Sequence, residues 1–175
     1  MRVLLIVVAA AVTTACAATG VRPQPFPMSR EGAARPRPVE GRDIVGTTAA
    51  PSGYEVSGTA LELRGTPYRN GGTDPAGFDC SGLVWYVFAR HGLSLPRTVE
   101  DQWRVGGSVQ PPDLQPGDLV FFSTTSAGAS HVGIVIGGDS FIHAPSSTGV
   151  VRVERLGASY WSSRYVGAKR ILHAF

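Results

Sequence analysis

Cysteine is scarce in this chain: only Cys16 and Cys80 occur among its 175 residues. So few cysteines cannot build the disulfide framework that holds small secreted domains together. A structural zinc site is almost always four-coordinate, and Cys80 with His131 and His143 would supply only three ligands. We therefore expect neither a disulfide framework nor a metal centre.

An excess of charge is also missing from most of the chain. Residues 54–175 contain ten basic and ten acidic side chains, so the net charge of +3 comes from the residues before them. A neutral domain lacks the basic surface that nucleic-acid binding requires. We therefore expect no nucleic-acid partner.

No apolar run near the N-terminus is long enough to span a bilayer as a helix, since the run at 3–12 is too short. With Arg2 before it and small residues after it, this run is typical of an export signal, which we predict over residues 1–15. Residues 16–53 are rich in Pro, Gly and Arg without sustained apolar periodicity. They predict a disordered tether in front of a single domain at 54–175.

The residues around Cys16 resemble the bacterial lipobox, although Thr13 stands where that motif prefers leucine. Cleavage before Cys16 would leave an N-terminal cysteine that carries a lipid and anchors the chain to a membrane. Ala17 favours the outer membrane of a Gram-negative cell, because retention in the inner membrane uses aspartate at that position. Ordinary signal-peptidase cleavage near "ACA" is the alternative. If Cys16 is lipidated, Cys80 has no disulfide partner, and a free thiol in an oxidising compartment indicates that its chemistry is used.

Helical patterns come before strand patterns within the predicted domain. Short helices are predicted at about 56–63 and within "TVEDQWRVG", and a longer one at about 80–90 with Asp79 as N-cap and Gly92 as the stop. Apolar residues cover most of the longer helix, which must therefore be largely buried: Leu83, Val84, Trp85, Val87 and Phe88. From Asp118 onward the runs "DLVFF", "HVGIVIG", "SFIHAP", "VVRVERL" and "YVGAKRIL" predict strands. This order predicts an α+β domain with an antiparallel sheet.

Cys80 falls in the first turn of the longer helix. Free backbone N–H groups and the positive end of the helix dipole stabilise a thiolate there. Gly82 keeps this turn narrow, and Ser81 adds a small polar neighbour. A cysteine used only for packing would sit more naturally among the apolar residues further along. The position therefore favours a nucleophile.

Two histidines in neighbouring strand patterns are candidates for the base. His131 and Gly133 share one face of "HVGIVIG" because side chains alternate along a strand. A three-residue loop at 137–139 would put His143 opposite Gly133, diagonal to His131 and on the same face. A two-residue loop would put the two histidines on opposite faces. In the first register His143 can orient and polarise His131, which completes a nucleophile, base and orienting group.

Five segments, in order, resemble the motifs of the NlpC-type family of papain-like cysteine peptidases, which cut peptides in bacterial peptidoglycan. They are "GTPYRNGGTDPAGFDCSGLVWYVF", "LPRTVEDQ", "LQPGDLVFF", "SHVGIVIG" and "FIHAP", and the resemblance covers most of residues 54–172. It implies a papain-like fold without a cofactor, with Cys80 as nucleophile, His131 as general base and His143 as the polar third member. Tyr68 matches a tyrosine that helps the Cys80 backbone N–H to stabilise the oxyanion.

The resemblance also implies a substrate groove. Asp79 and Ser81 match positions that line it, although Asp79 has the alternative role of only capping its helix. Arg97 matches a motif residue that serves either substrate contact or local structure. We assign no catalytic role to His91 or His173.

The implied substrate is peptidoglycan, cut next to meso-diaminopimelate by a protein that we expect to be a monomer. Two bonds remain open: γ-D-glutamyl to diaminopimelate within one stem, and the D-alanyl to diaminopimelate cross-link. Two other functions also remain open. One is an acyl transferase or amidase acting on another cell-surface substrate, and the other is a non-catalytic lipoprotein that binds the cell wall.

Overall fold

The computed structural model describes residues 50–172. The predicted export signal, Cys16 with its predicted lipid, most of the predicted tether and His173 lie outside these residues. Within the described range, no helix is long and apolar enough to cross a membrane.

Four α-helices and one short 3-10 helix (Pro111–Asp113) form within residues 50–172, and the three longer α-helices were predicted. The α-helices are α1 (Gly53–Glu62), α2 (Cys80–Arg90), α3 (Val99–Arg104) and α4 (Ser159–Ser162). Asp79 caps α2 by accepting a hydrogen bond from the Gly82 backbone N–H at 2.7 Å. Gly92 ends α2 with a positive φ of 75°, a conformation that favours glycine. Local capping and stop signals therefore set the bounds of the helix that begins with Cys80.

Eight strands form two antiparallel sheets. They are β1 (Thr73–Asp74), β2 (Gly77–Phe78), β3 (Gly107–Val109), β4 (Leu119–Phe122), β5 (His131–Gly137), β6 (Ser140–His143), β7 (Arg152–Arg155) and β8 (Tyr165–Arg170). β1 and β2 pair with each other, and the other six form one sheet in the order β3-β8-β4-β5-β6-β7. The predicted α+β class with an antiparallel sheet is confirmed, whereas β1, β2, β3 and α4 were not predicted.

Apolar side chains pack on both faces of the large sheet. Alternate residues of β4 show the division: Leu119 and Phe121 join the cluster on the helix side, while Val120 and Phe122 join a smaller cluster on the opposite face. The helix side also buries Val56, Leu83, Val84, Val87, Phe88 and Ile134. Trp85, which was expected in the core, is only partly buried. The rest of the apolar face of α2 is buried as predicted.

The hairpin of β5 and β6 reaches the predicted register by an unexpected route. Gly137 pairs with Ser140, so the loop contains two residues instead of the predicted three. The register then shifts at Ile136, which forms a β-bulge, and Ile134 pairs with Ile142. Because the bulge adds one residue to β5, it offsets the shorter loop. Both histidines therefore lie on the same face of the sheet.

The start of α2 packs closely against the loop before β1. A Cβ atom at Gly82 would lie 1.9 Å from the carbonyl oxygen of Gly72. The same oxygen accepts a hydrogen bond from the Asp79 backbone N–H at 3.2 Å. Glycine at position 82 thus permits the contact that fixes the helix N-terminus in place.

We predict that Gly82→Ala destabilises the domain by about 1–3 kcal/mol, because the added methyl group must displace backbone atoms. Gly58→Ala in α1 is the matched control, since a Cβ atom there meets nothing within 4 Å. In that open position alanine should stabilise the helix by about 0.5–1 kcal/mol. The free energy of unfolding in denaturant measures both changes. Equal effects of the two substitutions would show that the close contact at Gly82 is wrong.

Candidate active site

Cys80 is the first residue of α2, and its side chain is partly buried. Burial raises the pKa of the Cys80 thiol, and the negative charge of Asp79 raises it further. Hydrogen bonds from the backbone N–H groups of Val132, Ser81 and Cys80 itself lower this pKa, but the net shift is upward. The backbone donors expected at the helix start are therefore present, but burial and Asp79 outweigh them. The thiol is protonated near neutral pH as a result.

His131 and His143 form a hydrogen-bonded pair on the face of the sheet opposite the main helices. Nε2 of His131 and Nδ1 of His143 lie 2.7 Å apart, and the side chains are 8% and 1% exposed. Gly133 makes room for this pair, since a Cβ atom there would lie 2.6 Å from the Phe141 ring and 3.2 Å from Cβ of His143. The structure thus brings the two histidines together as the sequence predicted.

Burial keeps both imidazoles neutral. It lowers the pKa of His131, and it lowers the pKa of His143, with further lowering by the charges of His131 and Arg152. A neutral imidazole carries one proton and one free lone pair, so one ring of the pair donates and the other accepts. His131 is therefore neutral near neutral pH and offers a lone pair that can accept a proton during the reaction, although burial opposes the charged form.

Cys80 lies beside the start of β5. His131 is the first residue of that strand. The backbone N–H of the next residue, Val132, donates a hydrogen bond to the Cys80 sulfur. Since His143 occupies Nε2 of His131, the nitrogen of His131 that remains available is Nδ1. The site therefore combines a protonated thiol with a neutral imidazole.

Tyr68 lies on a segment that is fixed on both sides. Its backbone N–H donates to the Gly149 carbonyl at 2.7 Å, and the neighbouring Arg69 N–H donates to the Phe78 carbonyl at 2.9 Å. Burial raises the pKa of the Tyr68 hydroxyl, and so do the negative charge of Asp79 and that of Cys80 in its thiolate form. The hydroxyl therefore remains a hydrogen-bond donor close to the thiol.

Asp79, Ser81 and Arg97 form one hydrogen-bonded network. Arg97 donates to the Ser81 hydroxyl at 2.7 Å and to the Asp79 carboxylate at 2.5 Å, and the Ser81 hydroxyl donates to Asp79 at 3.2 Å. Burial raises the pKa of Asp79, but hydrogen bonds from Arg97 and the Gly82 N–H make the net shift downward. Asp79 is therefore ionised. Asp79 both caps α2 and accepts a hydrogen bond from Arg97. The network therefore stabilises the start of α2.

Trp161, on α4, covers the histidine pair and was not identified from the sequence. Its ring stacks on His131 with centroids 5.6 Å apart and an interplanar angle of 26°. It meets His143 edge-to-face at 4.8 Å and 87°. The side chain is only 8% exposed. A tryptophan between two strand patterns carries no local signal of this contact.

Gln102 was also missed. It is fully buried, and its Nε2 donates to the carbonyl oxygens of Ser81 at 3.1 Å and Pro96 at 2.8 Å. These bonds tie α3 to the start of α2. In the sequence, Gln102 stands among charged residues, and nothing in that pattern indicates that its side chain is buried.

The remaining candidates for metal or acid-base chemistry lie elsewhere. His91 is hydrogen bonded to the Thr59 hydroxyl at 2.9 Å and joins α2 to α1. Across residues 50–172, no group of three or more His, Cys, Asp or Glu side chains is placed to hold a metal ion.

We predict that the Cys80 thiol is alkylated with an apparent pKa above that of an unperturbed cysteine. Asp79→Asn should lower this pKa, because asparagine still caps the helix but carries no negative charge. Asp74→Asn, in the exposed β1–β2 hairpin, is the matched control and should leave the pKa unchanged. Mass spectrometry of the Cys80 peptide after brief iodoacetamide treatment at a series of pH values measures it. Alkylation of the native chain that is already maximal in mildly acidic solution would contradict the protonated resting thiol.

Comparison with proteins of known sequence finds relatives that are named as peptidoglycan or murein endopeptidases. The chain is 48% identical over 112 residues to "Probable peptidoglycan endopeptidase LytE" of Bacillus subtilis, covering 63% of this chain and 32% of that protein. It is 43% identical over 112 residues to "Murein DD-endopeptidase MepS/Murein LD-carboxypeptidase" of Escherichia coli, covering 63% and 58%. The matched part therefore spans less than two thirds of either relative.

Comparison with solved structures places the fold among papain-like domains of one family. A crystal structure of an NlpC/P60 family protein from Bacillus cereus superposes with a TM-score of 0.66 at 34% identity, covering 70% of this chain and 41% of that one. Residues 65–170 match the NlpC/P60 family, which is more than half of the chain. This chain belongs to the NlpC/P60 family.

Proposed function

We propose that this protein is a cysteine endopeptidase that hydrolyses amide bonds in peptidoglycan next to meso-diaminopimelate. The observation that carries the proposal is the placement of the Cys80 thiol against the backbone N–H of Val132, the residue after His131, whose Nε2 is held by His143. Relatives in the same family are named peptidoglycan or murein endopeptidases, which supports the choice of substrate.

The first half of the reaction forms a thioester. Nδ1 of neutral His131 takes the thiol proton while the Cys80 sulfur attacks the amide carbonyl carbon. The resulting oxyanion accepts hydrogen bonds from the Cys80 backbone N–H and from the Tyr68 hydroxyl. As the C–N bond breaks, His131 returns its proton to the leaving amine. The acyl group of the substrate then remains on Cys80.

The second half releases the acid. Water attacks the thioester carbonyl, and His131 takes a proton from that water. When the C–S bond breaks, the thiolate recovers the proton from His131 and the carboxylic acid leaves. Each step uses side chains and backbone groups of this chain, and the proposal includes no cofactor.

The network of Asp79, Ser81 and Arg97 would line the substrate groove beside the thiol. Asp79 is an ionised carboxylate, which suits it to an amine of the stem peptide, and 14% of its side-chain surface remains exposed. Arg97 already neutralises part of this charge, so an amine would compete with Arg97 for the same carboxylate. The ionised carboxylate supports a binding role for the network, whereas the ion pair with Arg97 must be displaced before an amine can bind.

The scissile bond has two candidates. The D-alanyl to diaminopimelate cross-link is favoured by similarity to a relative named as a murein DD-endopeptidase. The γ-D-glutamyl to diaminopimelate bond within one stem is the second candidate.

We also propose that the chain is exported, cleaved before Cys16 and held by lipid at the outer membrane, with residues 16–53 as a tether. A tether suits an immobile, extended substrate because it supplies reach and a high local concentration. The support is the pattern of residues 1–17. Loss of membrane fractionation in Cys16→Ser tests the anchor. The site requires only one chain, and we propose that the protein acts as a monomer.

Digestion of purified peptidoglycan by the full chain tests the function. We expect soluble products with the native chain and none with Cys80→Ala, because alanine cannot form the thioester. Products are separated by chromatography and identified by mass, and thiol titration confirms that Cys80 is reduced. Conversion of cross-linked dimers to monomers identifies the cross-link as the target, whereas shortened stems identify the γ-D-glutamyl bond.

Three other outcomes of this digestion would overturn the proposal. Co-sedimentation with peptidoglycan without turnover would indicate a wall-binding protein. Products extended by an added amine would indicate an acyl transferase. No effect on peptidoglycan from a folded, reduced chain would indicate a different cell-surface amide.

We predict that Tyr68→Phe lowers kcat by about a hundredfold and leaves KM nearly unchanged, since it removes one oxyanion donor but keeps the ring. Tyr86→Phe is the matched control, because the Tyr86 ring packs 5.2 Å from Phe78 and its hydroxyl meets only Arg90. Steady-state kinetics on a purified muropeptide measures both variants. An equal loss in the two, or none in Tyr68→Phe, would exclude Tyr68 as a donor.

A further inference from the structure

We propose that Trp161 is a positioning residue that fixes the proton arrangement of the His131–His143 pair. This inference rests on the proposed function and adds to it a group outside the nucleophile, base and third member. Among residues 50–172, Trp161 is the one aromatic side chain packed against both imidazoles, stacking on His131 and meeting His143 edge-to-face.

The reaction requires one of two proton arrangements in the pair. For Nδ1 of His131 to accept the thiol proton, the proton of neutral His131 must sit on Nε2. That Nε2–H then donates to Nδ1 of His143 across the 2.7 Å bond. Consequently the proton of His143 must sit on its own Nε2. The opposite arrangement puts a proton on Nδ1 of His131 and blocks the base.

The surroundings of His143 determine which arrangement is stable. Its Nε2 atom is buried and has no hydrogen-bond partner among the described residues. The neighbouring rings are Trp161, with centroids 4.8 Å apart, and Phe141, at 5.0 Å and 45°. An aromatic face carries negative charge density, so it attracts an N–H group and repels a nitrogen lone pair. An aromatic environment therefore favours the Nε2–H form of His143, which is the form that the reaction requires.

The pocket beside the histidine pair contains polar side chains, but none of them is a hydrogen-bond partner for Nε2 of His143. His143 and Trp161 form part of the wall of a cavity of about 250 Å³ that also contains Ser147, Thr148 and Glu154. The Glu154 carboxylate instead pairs with Arg152 at 2.8 Å. The neighbouring aromatic rings therefore remain as candidates for the partner of the Nε2–H group, and the indole, with its centroid 4.8 Å from that of His143, is the nearer of the two.

The position of Trp161 is itself well defined. Its backbone N–H donates to the Ala158 carbonyl at 2.9 Å, and its carbonyl accepts from the Arg164 N–H at 3.0 Å. Its ring also packs against Phe122 at 4.8 Å and Phe141 at 5.2 Å. The short helix α4 thus holds the indole against both histidines.

The test compares Trp161→Leu with Trp161→Phe in the full chain, using ¹⁵N NMR of histidine-labelled protein near neutral pH. We expect the native chain and Trp161→Phe to show His143 protonated on Nε2, because both keep an aromatic face. In Trp161→Leu the preference for Nε2–H should fall by roughly two- to fivefold, with a similar loss of kcat and little change in KM. Trp103→Leu is the control for lost packing, since Trp103 packs against Phe121 on the helix side of the sheet.

Two results would overturn the inference: His143 protonated on Nδ1 in the native chain, or an unchanged preference for Nε2–H in Trp161→Leu. A tautomer change of equal size in Trp103→Leu would also overturn it, because the effect would then be one of general packing. The tautomer is read without any substrate. If the native chain fails to digest peptidoglycan while the tautomers behave as expected, the proposed function fails and the role of Trp161 stands.

Discussion

The hydrogen bond between His131 and His143 joins two strands, and it forms only in one register of the β5–β6 hairpin. A slip of one residue would turn one of the two rings to the other face of the sheet. The register combines a two-residue turn with the bulge at Ile136, and Gly133 leaves the space that the paired rings occupy. The available nitrogen of His131, the contact with Trp161 and the position beside Cys80 all depend on this arrangement.

Burial gives the site its electrostatic character. Desolvation opposes charge on the Cys80 thiol and on both imidazoles, so the resting site holds neutral groups that exchange a proton when a substrate arrives. Asp79 acts in the same direction, because its negative charge opposes a thiolate while its carboxylate caps α2. The ion pair with Arg97 limits this penalty. The helix dipole and the backbone donors around the Cys80 sulfur then stabilise the negative charge that develops on this sulfur during the reaction.

Local signals in the sequence predicted much of the fold and the members of the site. The bounds of α2 follow from Asp79 and Gly92. Period-two patterns located the five strands from β4 to β8, but no pattern indicated the short helix α4 between β7 and β8. The three-residue loop was wrong because a bulge has no reliable local signal. The upward shift of the Cys80 pKa could not be predicted because burial is a tertiary property. Trp161 was missed because its contact with His131 forms only when the chain returns after β7.

The most direct test of this account is the protonation state of His131 near neutral pH, measured by ¹⁵N NMR in the native chain and in Cys80→Ala. We predict a neutral imidazole in both proteins, because burial opposes its charge whether or not a thiol is present. An imidazolium in the native chain that becomes neutral in Cys80→Ala would reveal a thiolate–imidazolium pair. That result would contradict the neutral resting site from which the mechanism begins.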